Sequence, residues 1–240
     1  VATVLSAYMA GLALGAAVAA RFVHRITRPV LVYGLLEAGV AVSALAVPLL
    51  LTLANYLYIG VFGNQPTPAD ASGLGQSFFY LFITFIVLAI PTGCMGATLP
   101  MLTKYVVRTE AQIGPRVGML YAMNTLGAIG GTVTAGFLLL PTIGLSGTIW
   151  IGVAVNGIVF LIAAGIARTI TPEASAIAEP EVSFGGEPRF RFQATDWILP
   201  LMLLSGANTF AYEVLWTRLL SHVLGGSVSA FAAMLASFLS

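Results

Sequence analysis

The chain has 240 residues, of which 58% are apolar and 8% are charged, whereas about a quarter of the residues are charged in an ordinary soluble domain. Its formal net charge is +1 and its basic residues form no run, so the composition does not favour nucleic acid as a partner. Cys94 is the only cysteine, which excludes an intramolecular disulfide and a cysteine-rich zinc site.

Long uncharged stretches indicate an integral membrane protein. No charged residue occurs at 1–20, 71–103 or 117–167, and each stretch is long enough to cross a hydrocarbon core of about 30 Å. The chain begins inside the first stretch and stops inside an apolar run that covers about half a bilayer. We therefore expect the natural protein to be longer.

The first three spans are predicted in the following order. Span one covers 1–20 and ends at a basic cluster, after which Pro29 suits the start of span two at 30–53. Residues 55–76 are polar and rich in turn formers, which predicts a loop. Span three covers 77–102, and we expect Pro91 and Pro100 to kink it or to shorten its regular part.

The remainder of the chain predicts two more spans, a linker and the beginning of a second half. The apolar run at 117–167 is too long for one helix, and the Pro- and Gly-containing turn at 141–147 divides it into spans four and five. Residues 169–195 carry charges, prolines and a Gly-Gly pair typical of a linker. Span six at 197–220 and a truncated seventh at 227–240 follow.

The basic residues predict the orientation. When the spans alternate across the bilayer, only Arg218 lies toward one side, and all other basic residues lie toward the opposite side, which is predicted to be cytoplasmic. That set consists of Arg21, Arg25, Arg28, Lys104, Arg108, Arg116, Arg168, Arg189 and Arg191. Residues 2–10 also align weakly with 232–240, as a parallel duplication of two transporter-like halves would require.

Four phrases carry a resemblance to a known family: MGATLP at 95–100, GMLYAMNTLGA at 118–128, GFLLLP at 136–141 and YEVLWTRLL at 212–220. They resemble the membrane part of bacterial spermidine synthase-like proteins, also described as fused major facilitator and spermidine synthase proteins. In that family each half opens with a span ending in Tyr-Glu-x-x-Trp-Thr-Arg, and a helix like 1–20 follows it. Full-length members carry a soluble Rossmann-like aminopropyltransferase domain, and nothing in this chain matches that domain.

The resemblance implies an all-α, polytopic transmembrane bundle with about six to seven helices. Residues 1–168 form about five spans of a major-facilitator-like first half whose preceding span is missing. Residues 169–195 form a cytoplasmic linker, and residues 196–240 begin a truncated second half. The expected location is the bacterial inner membrane, with the bilayer and either other membrane subunits or the missing remainder of the polypeptide as partners.

Glu37 is the first candidate for chemistry, because it lies seven residues, or about 10 Å, past the start of span two. Intramembrane carboxylates often mark substrate or proton paths, so Glu37 is a candidate cation or proton site. The alternative is a structural carboxylate near the headgroups that is neutral or hydrogen-bonded to another helix. Both interpretations are open.

Further candidates lie in spans six and four. Glu213 and Tyr212 lie on polar faces of span six, which suits either a binding site or helix packing, and packing is favoured. Arg218 lies about 140° around the helix from Glu213, so we expect it to point outward or to pair across helices. Asn124 suits either a polar path or an interhelical hydrogen bond.

Two pairs of glycines have the spacing that allows two helices to approach closely, and we expect them to serve packing. They are Gly11 with Gly15, and Gly127 with Gly131. The sequence predicts neither a metal site nor a cofactor. Three functions stay open: a transporter-like domain for a small cationic solute such as a polyamine, a non-catalytic structural subunit of a larger membrane complex, and the membrane part of a polyamine aminopropyltransferase whose catalytic domain is not in this chain.

Overall fold

The computed structural model describes residues 2–63 and 74–169 and two short pieces at 231–233 and 235–236. Within these ranges every regular element is helical and no strand occurs. Five long helices follow one another: α1 Ala2–Phe22, α2 Pro29–Phe62, α3 Leu74–Val106, α4 Ile113–Val133 and α5 Leu140–Thr169. Short 3₁₀ turns at Val23–Arg25 and Glu110–Gln112 and a π-helical stretch at Thr134–Leu139 complete the described elements.

Four stretches of these helices are long and apolar enough to cross a membrane: Val4–Arg25, Pro29–Val61, Leu81–Val106 and Glu110–Thr169. The all-helical class is therefore confirmed for the described residues, and their long helices have the length and composition of membrane spans. Apart from Thr169, the linker at 169–195 lies outside the described residues, as do span six and most of the beginning of span seven.

The connection between α2 and α3 is shorter than predicted. The sequence predicted a loop over 55–76, whereas α2 continues to Phe62 and α3 begins at Leu74. Residues 56–62 are mostly aromatic and aliphatic, so they extend the helix until Gly63 ends it with φ 78°, a conformation that glycine adopts at little cost.

Neither proline ends α3. The helix is continuous from Leu74 to Val106 although Pro91 and Pro100 each lack a backbone N–H. The Thr92 hydroxyl donates to the Leu88 carbonyl at 2.6 Å, and the Thr98 hydroxyl donates to the Met95 carbonyl at 2.6 Å. Of the two effects expected of these prolines, a kink or a shorter regular part, the continuous helix contradicts the shortening.

The 60-residue apolar stretch at Glu110–Thr169 is interrupted at Gly144. This residue has φ 70° and ψ −176°, which are not helical values, so α5 consists of two helical parts. The break lies inside the turn that the sequence predicted at 141–147.

The chain divides into two units, one formed by Val1–Asn124 with Thr142–Ile177 and the other by Thr125–Pro141 with Ala178–Ser240. In the first unit α1 and α3 run parallel in close contact. An added Cβ at Gly11 would overlap the side chain of Thr92, one at Gly15 would overlap the Gly93 backbone, and one at Gly96 would overlap the Leu12 backbone. In the second unit, an added Cβ at the buried Gly136 would overlap Ala232.

Helix α2 runs antiparallel to α3 and to α5 within the first unit. Gly39 lies beside Cys94, whereas Gly34 lies beside Ala163, with its ideal Cβ position 2.9 Å from the Ala163 Cβ. A buried cluster of Val30, Ala163 and Ala167 closes one end, and Leu31, Tyr33 and Tyr105 pack against it. The end of α1, the start of α2, the end of α3 and the end of α5 therefore meet at one end of this unit.

We call this the basic end and define it by residues 21–30, 104–116 and 163–169. Every lysine and arginine in the described part of the chain lies there: Arg21, Arg25, Arg28, Lys104, Arg108, Arg116 and Arg168.

Candidate functional site

The site is built around Glu37, the only charged residue in α2. Glu37 is eight residues from Pro29, which places it about 12 Å along the helix from the basic end. Its side chain is half-buried. Among the described residues it is the only acidic or basic residue that lies away from the basic end.

Tyr33 lies one helical turn before Glu37, and its hydroxyl hydrogen-bonds the carboxylate. Positions four apart on a helix share a face, so α2 alone brings these two groups together. Tyr33 also packs against the buried cluster at the basic end. The phenol therefore links the carboxylate to the packed base of the unit.

Helix α3 contributes Cys94 to the same region. The Cys94 thiol is close enough to Glu37 to interact with its charge, and its Sγ lies 3.2 Å from the ideal Cβ position of Gly39. The absence of a side chain at Gly39 gives Cys94 room against α2. Gly39 lies two residues from Glu37, or about 200° around α2, so this contact with α3 is on the other side of the helix from the carboxylate.

Apolar residues enclose this group along α2. Val30 on the basic side and Val40 and Ala41 on the other side are all buried. A carboxylate with such neighbours loses much of its hydration, which is costly unless a hydrogen bond, a cation or a proton compensates. The Tyr33 hydroxyl supplies one hydrogen bond, and the second carboxylate oxygen has capacity for a further donor.

In the described ranges, no group of three or more His, Cys, Asp or Glu side chains could hold a metal ion. The Tyr33, Glu37 and Cys94 set offers one carboxylate, which suits a proton or a monovalent or organic cation.

The structure gives mixed outcomes for the other candidates. Asn124 is exposed near the middle of α4, and it is not brought close to Glu37 by any described contact. Gly11 and Gly15 lie in the α1–α3 contact, whereas added Cβ atoms at Gly127 and Gly131 would meet nothing within 4 Å among the described residues. Tyr212, Glu213 and Arg218 lie outside the described residues.

Sequence reasoning missed Tyr33 and Cys94. The four-residue spacing to Glu37 was a usable signal for Tyr33. No local pattern indicates Cys94, because its position depends on how α3 packs against α2. The hydrogen bonds of Lys104 were also not predicted: its ammonium donates to the Val23 carbonyl at 2.7 Å and to the His24 carbonyl at 3.3 Å. A usable signal was its place in the last turn of α3, because basic residues near helix ends often cap carbonyls.

In comparisons with known proteins, no family model, curated protein or solved structure matches this chain.

Proposed function

We propose that this chain is an integral membrane domain of a spermidine synthase-like, transporter-like protein that handles a small cationic solute such as a polyamine. The observation that carries the proposal is the position of Glu37, a half-buried carboxylate among buried apolar residues and about 12 Å from the basic end. Ionisable groups placed in this way usually mark ion, proton or substrate paths. A carboxylate with one hydrogen bond from Tyr33 retains capacity to bind an ammonium group.

The wider layout that we propose is a major-facilitator-like first half followed by the beginning of a second half, with about six to seven spans in all. Division of the 60-residue stretch at Gly144 supports counting α1, α2, α3 and two further crossings in the described part. We also propose the bacterial inner membrane as the location, with the basic end toward the cytoplasm, since basic residues are enriched on that side.

A structural subunit is the second candidate, and the open glycine positions of α4 favour it. Gly127 and Gly131 have the four-residue spacing of a helix-packing surface, yet no described atom occupies the space beside them. A partner subunit could pack there without any transport. The third candidate, the membrane part of an aminopropyltransferase, requires a soluble catalytic domain elsewhere in the native polypeptide.

Uptake of radiolabelled putrescine tests the proposal. The native polypeptide that contains this chain is reconstituted into sealed vesicles, and the initial rate of uptake is measured for the wild type and for Glu37→Gln. Glutamine keeps the size of the side chain and removes its charge. We expect at least a roughly tenfold loss of uptake, because a charge-assisted contact contributes about 1.5 kcal/mol or more.

Glu110→Gln is the matched control, since it makes the same chemical change at an exposed carboxylate of the basic end. It should transport like the wild type. Equal uptake by the wild type and Glu37→Gln would refute the role of Glu37. Absence of putrescine uptake by the folded wild type would refute the proposed solute and favour the structural subunit.

A further inference from the structure

The surface of α1 near the basic end combines exposed arginines with an exposed apolar stripe. Leu14, Val18 and Phe22 follow one another at four-residue spacing and are 54%, 57% and 46% exposed. Arg21 and Arg25 follow on the same face at three- and four-residue spacing, toward the end of α1 and the turn after it, and are also exposed. We call these five residues the α1 stripe.

No carboxylate in the described part of the chain neutralises the two arginines of the α1 stripe. Lys104 and Arg116 donate to the carbonyls of Val23 and His24 and of Val106, respectively. Arg21 and Arg25, by contrast, form no ion pair with any described carboxylate, and the Arg25 guanidinium lies 5.8 Å from the centre of the Phe22 ring. The Arg25 guanidinium thus contacts an aromatic ring, but neither positive charge is neutralised by a described carboxylate.

The position of the stripe relative to the membrane suggests which partner fits. The apolar stretch Val4–Arg25 ends at these arginines, and the next one begins at Pro29. The arginines therefore lie where a spanning helix meets the headgroups, and the apolar part of the stripe lies one to two turns deeper in the bilayer. A partner that fits has a phosphate at the level of the arginines and a hydrocarbon chain below it.

We propose that the α1 stripe binds an anionic phospholipid, with its phosphate against Arg21 and Arg25 and an acyl chain along Leu14, Val18 and Phe22. The planar guanidinium group binds phosphate through two parallel hydrogen bonds, which an ammonium group does not reproduce. The apolar part of the stripe separates a lipid from free phosphate, which would gain nothing from it. This inference does not depend on the function proposed for Glu37.

Native mass spectrometry of the detergent-solubilised native polypeptide tests this binding with two lipids that share the same acyl chains, phosphatidylglycerol and phosphatidylcholine. The wild type should retain phosphatidylglycerol preferentially. Removal of one basic residue near a lipid surface weakens binding about fivefold, so the variant R21Q/R25Q should bind phosphatidylglycerol about 25-fold more weakly. Its phosphatidylcholine binding should stay unchanged.

Two matched variants make the result specific. R189Q/R191Q removes the same total charge from positions outside the α1 stripe and should retain the wild-type preference for phosphatidylglycerol. If R189Q/R191Q and R21Q/R25Q lost phosphatidylglycerol affinity equally, a net-charge effect would explain the result and the proposal would be overturned. R21K/R25K keeps the charge and should lose less affinity than R21Q/R25Q. Displacement of phosphatidylglycerol by an equal concentration of inorganic phosphate would also overturn the proposal, because it would show that the acyl chain contributes nothing.

Discussion

Glu37 is the described residue whose charge contrasts most clearly with apolar neighbours. It is the only charged residue in a helix of 34 residues, and buried Val30, Val40 and Ala41 lie along the same helix. The hydrogen bond from Tyr33 offsets part of the cost of removing the carboxylate from water. Because the donor lies on the same helix, this compensation forms together with α2 and does not require another helix to pack first.

Substitution of Tyr33 by phenylalanine should therefore destabilise the protein through the loss of one hydrogen bond. We expect Tyr33→Phe to lower the free energy of unfolding by about 0.5–1.5 kcal/mol, since the ring still packs at the basic end and only the hydroxyl is lost. Tyr56→Phe is the control, because Tyr56 is 69% exposed. Thermal unfolding in detergent compares them, and equal melting temperatures for the two variants would contradict the importance of the Tyr33 hydroxyl.

At the scale of elements, α1 and α3 form the closest helix pair of the first unit. Gly11 and Gly15 on α1 contact Thr92 and Gly93 on α3, so that backbone packs against backbone at Gly15. Membrane helices associate mainly through such packing, because lipid chains are as apolar as the side chains and give no hydrophobic driving force. Thr92 is 2% exposed and directs its hydroxyl to its own helix, which leaves no unpaired polar group in the contact.

Two glycine-to-alanine substitutions with different expected effects on stability test this packing. Gly15→Ala should destabilise the protein by about 1–3 kcal/mol, because its new methyl group would overlap the Gly93 backbone. Gly165→Ala, at a helical position with no atom within 4 Å of the added Cβ, should be neutral or stabilise by up to about 1 kcal/mol through helix propensity. Unfolding in a graded denaturing detergent measures both, and stabilisation by Gly15→Ala would refute the close α1–α3 contact.

At the scale of the whole molecule, the helix contacts of the first unit give a topology that can be measured. The ends of α1, α3 and α5 and the start of α2 meet at the basic end. Ala167 lies 21 residues after Ser146 in the second part of α5, or about 31 Å along the helix, which matches the thickness of a hydrocarbon core. Thr109 and Ser146 should consequently lie on opposite sides of the bilayer.

Cysteine labelling measures this arrangement. Because Cys94 is the only cysteine, Cys94→Ser gives a background without thiols, and His24→Cys, Thr109→Cys and Ser146→Cys are then added one at a time. A membrane-impermeant maleimide applied to one side of sealed vesicles should label the first two together and the third only from the other side. Labelling of Thr109→Cys and Ser146→Cys from the same side would contradict the topology.

The two glycine pairs illustrate what distinguishes sequence from tertiary information. Gly11 with Gly15 and Gly127 with Gly131 have the same spacing in similarly apolar helices. In the structure, the first pair lies against α3, and the second pair has open space among the described residues. Spacing determines that a helix face is flat, but the neighbouring helix determines whether anything packs on it.

The sequence by itself determined the helical membrane class from its hydropathy, the start of α2 from Pro29 and the break in α5 from the glycines near Gly144, because each of these signals acts locally. It also determined that the basic residues gather at one end, because this follows from alternating the spans across the bilayer. It also singled out Glu37, since a charge in an apolar helix is visible without any fold. Only the tertiary structure placed Cys94 beside Gly39 and Thr92 beside Gly11. Those positions depend on the register between helices, which is set by the combined shape of their side chains and by no single segment.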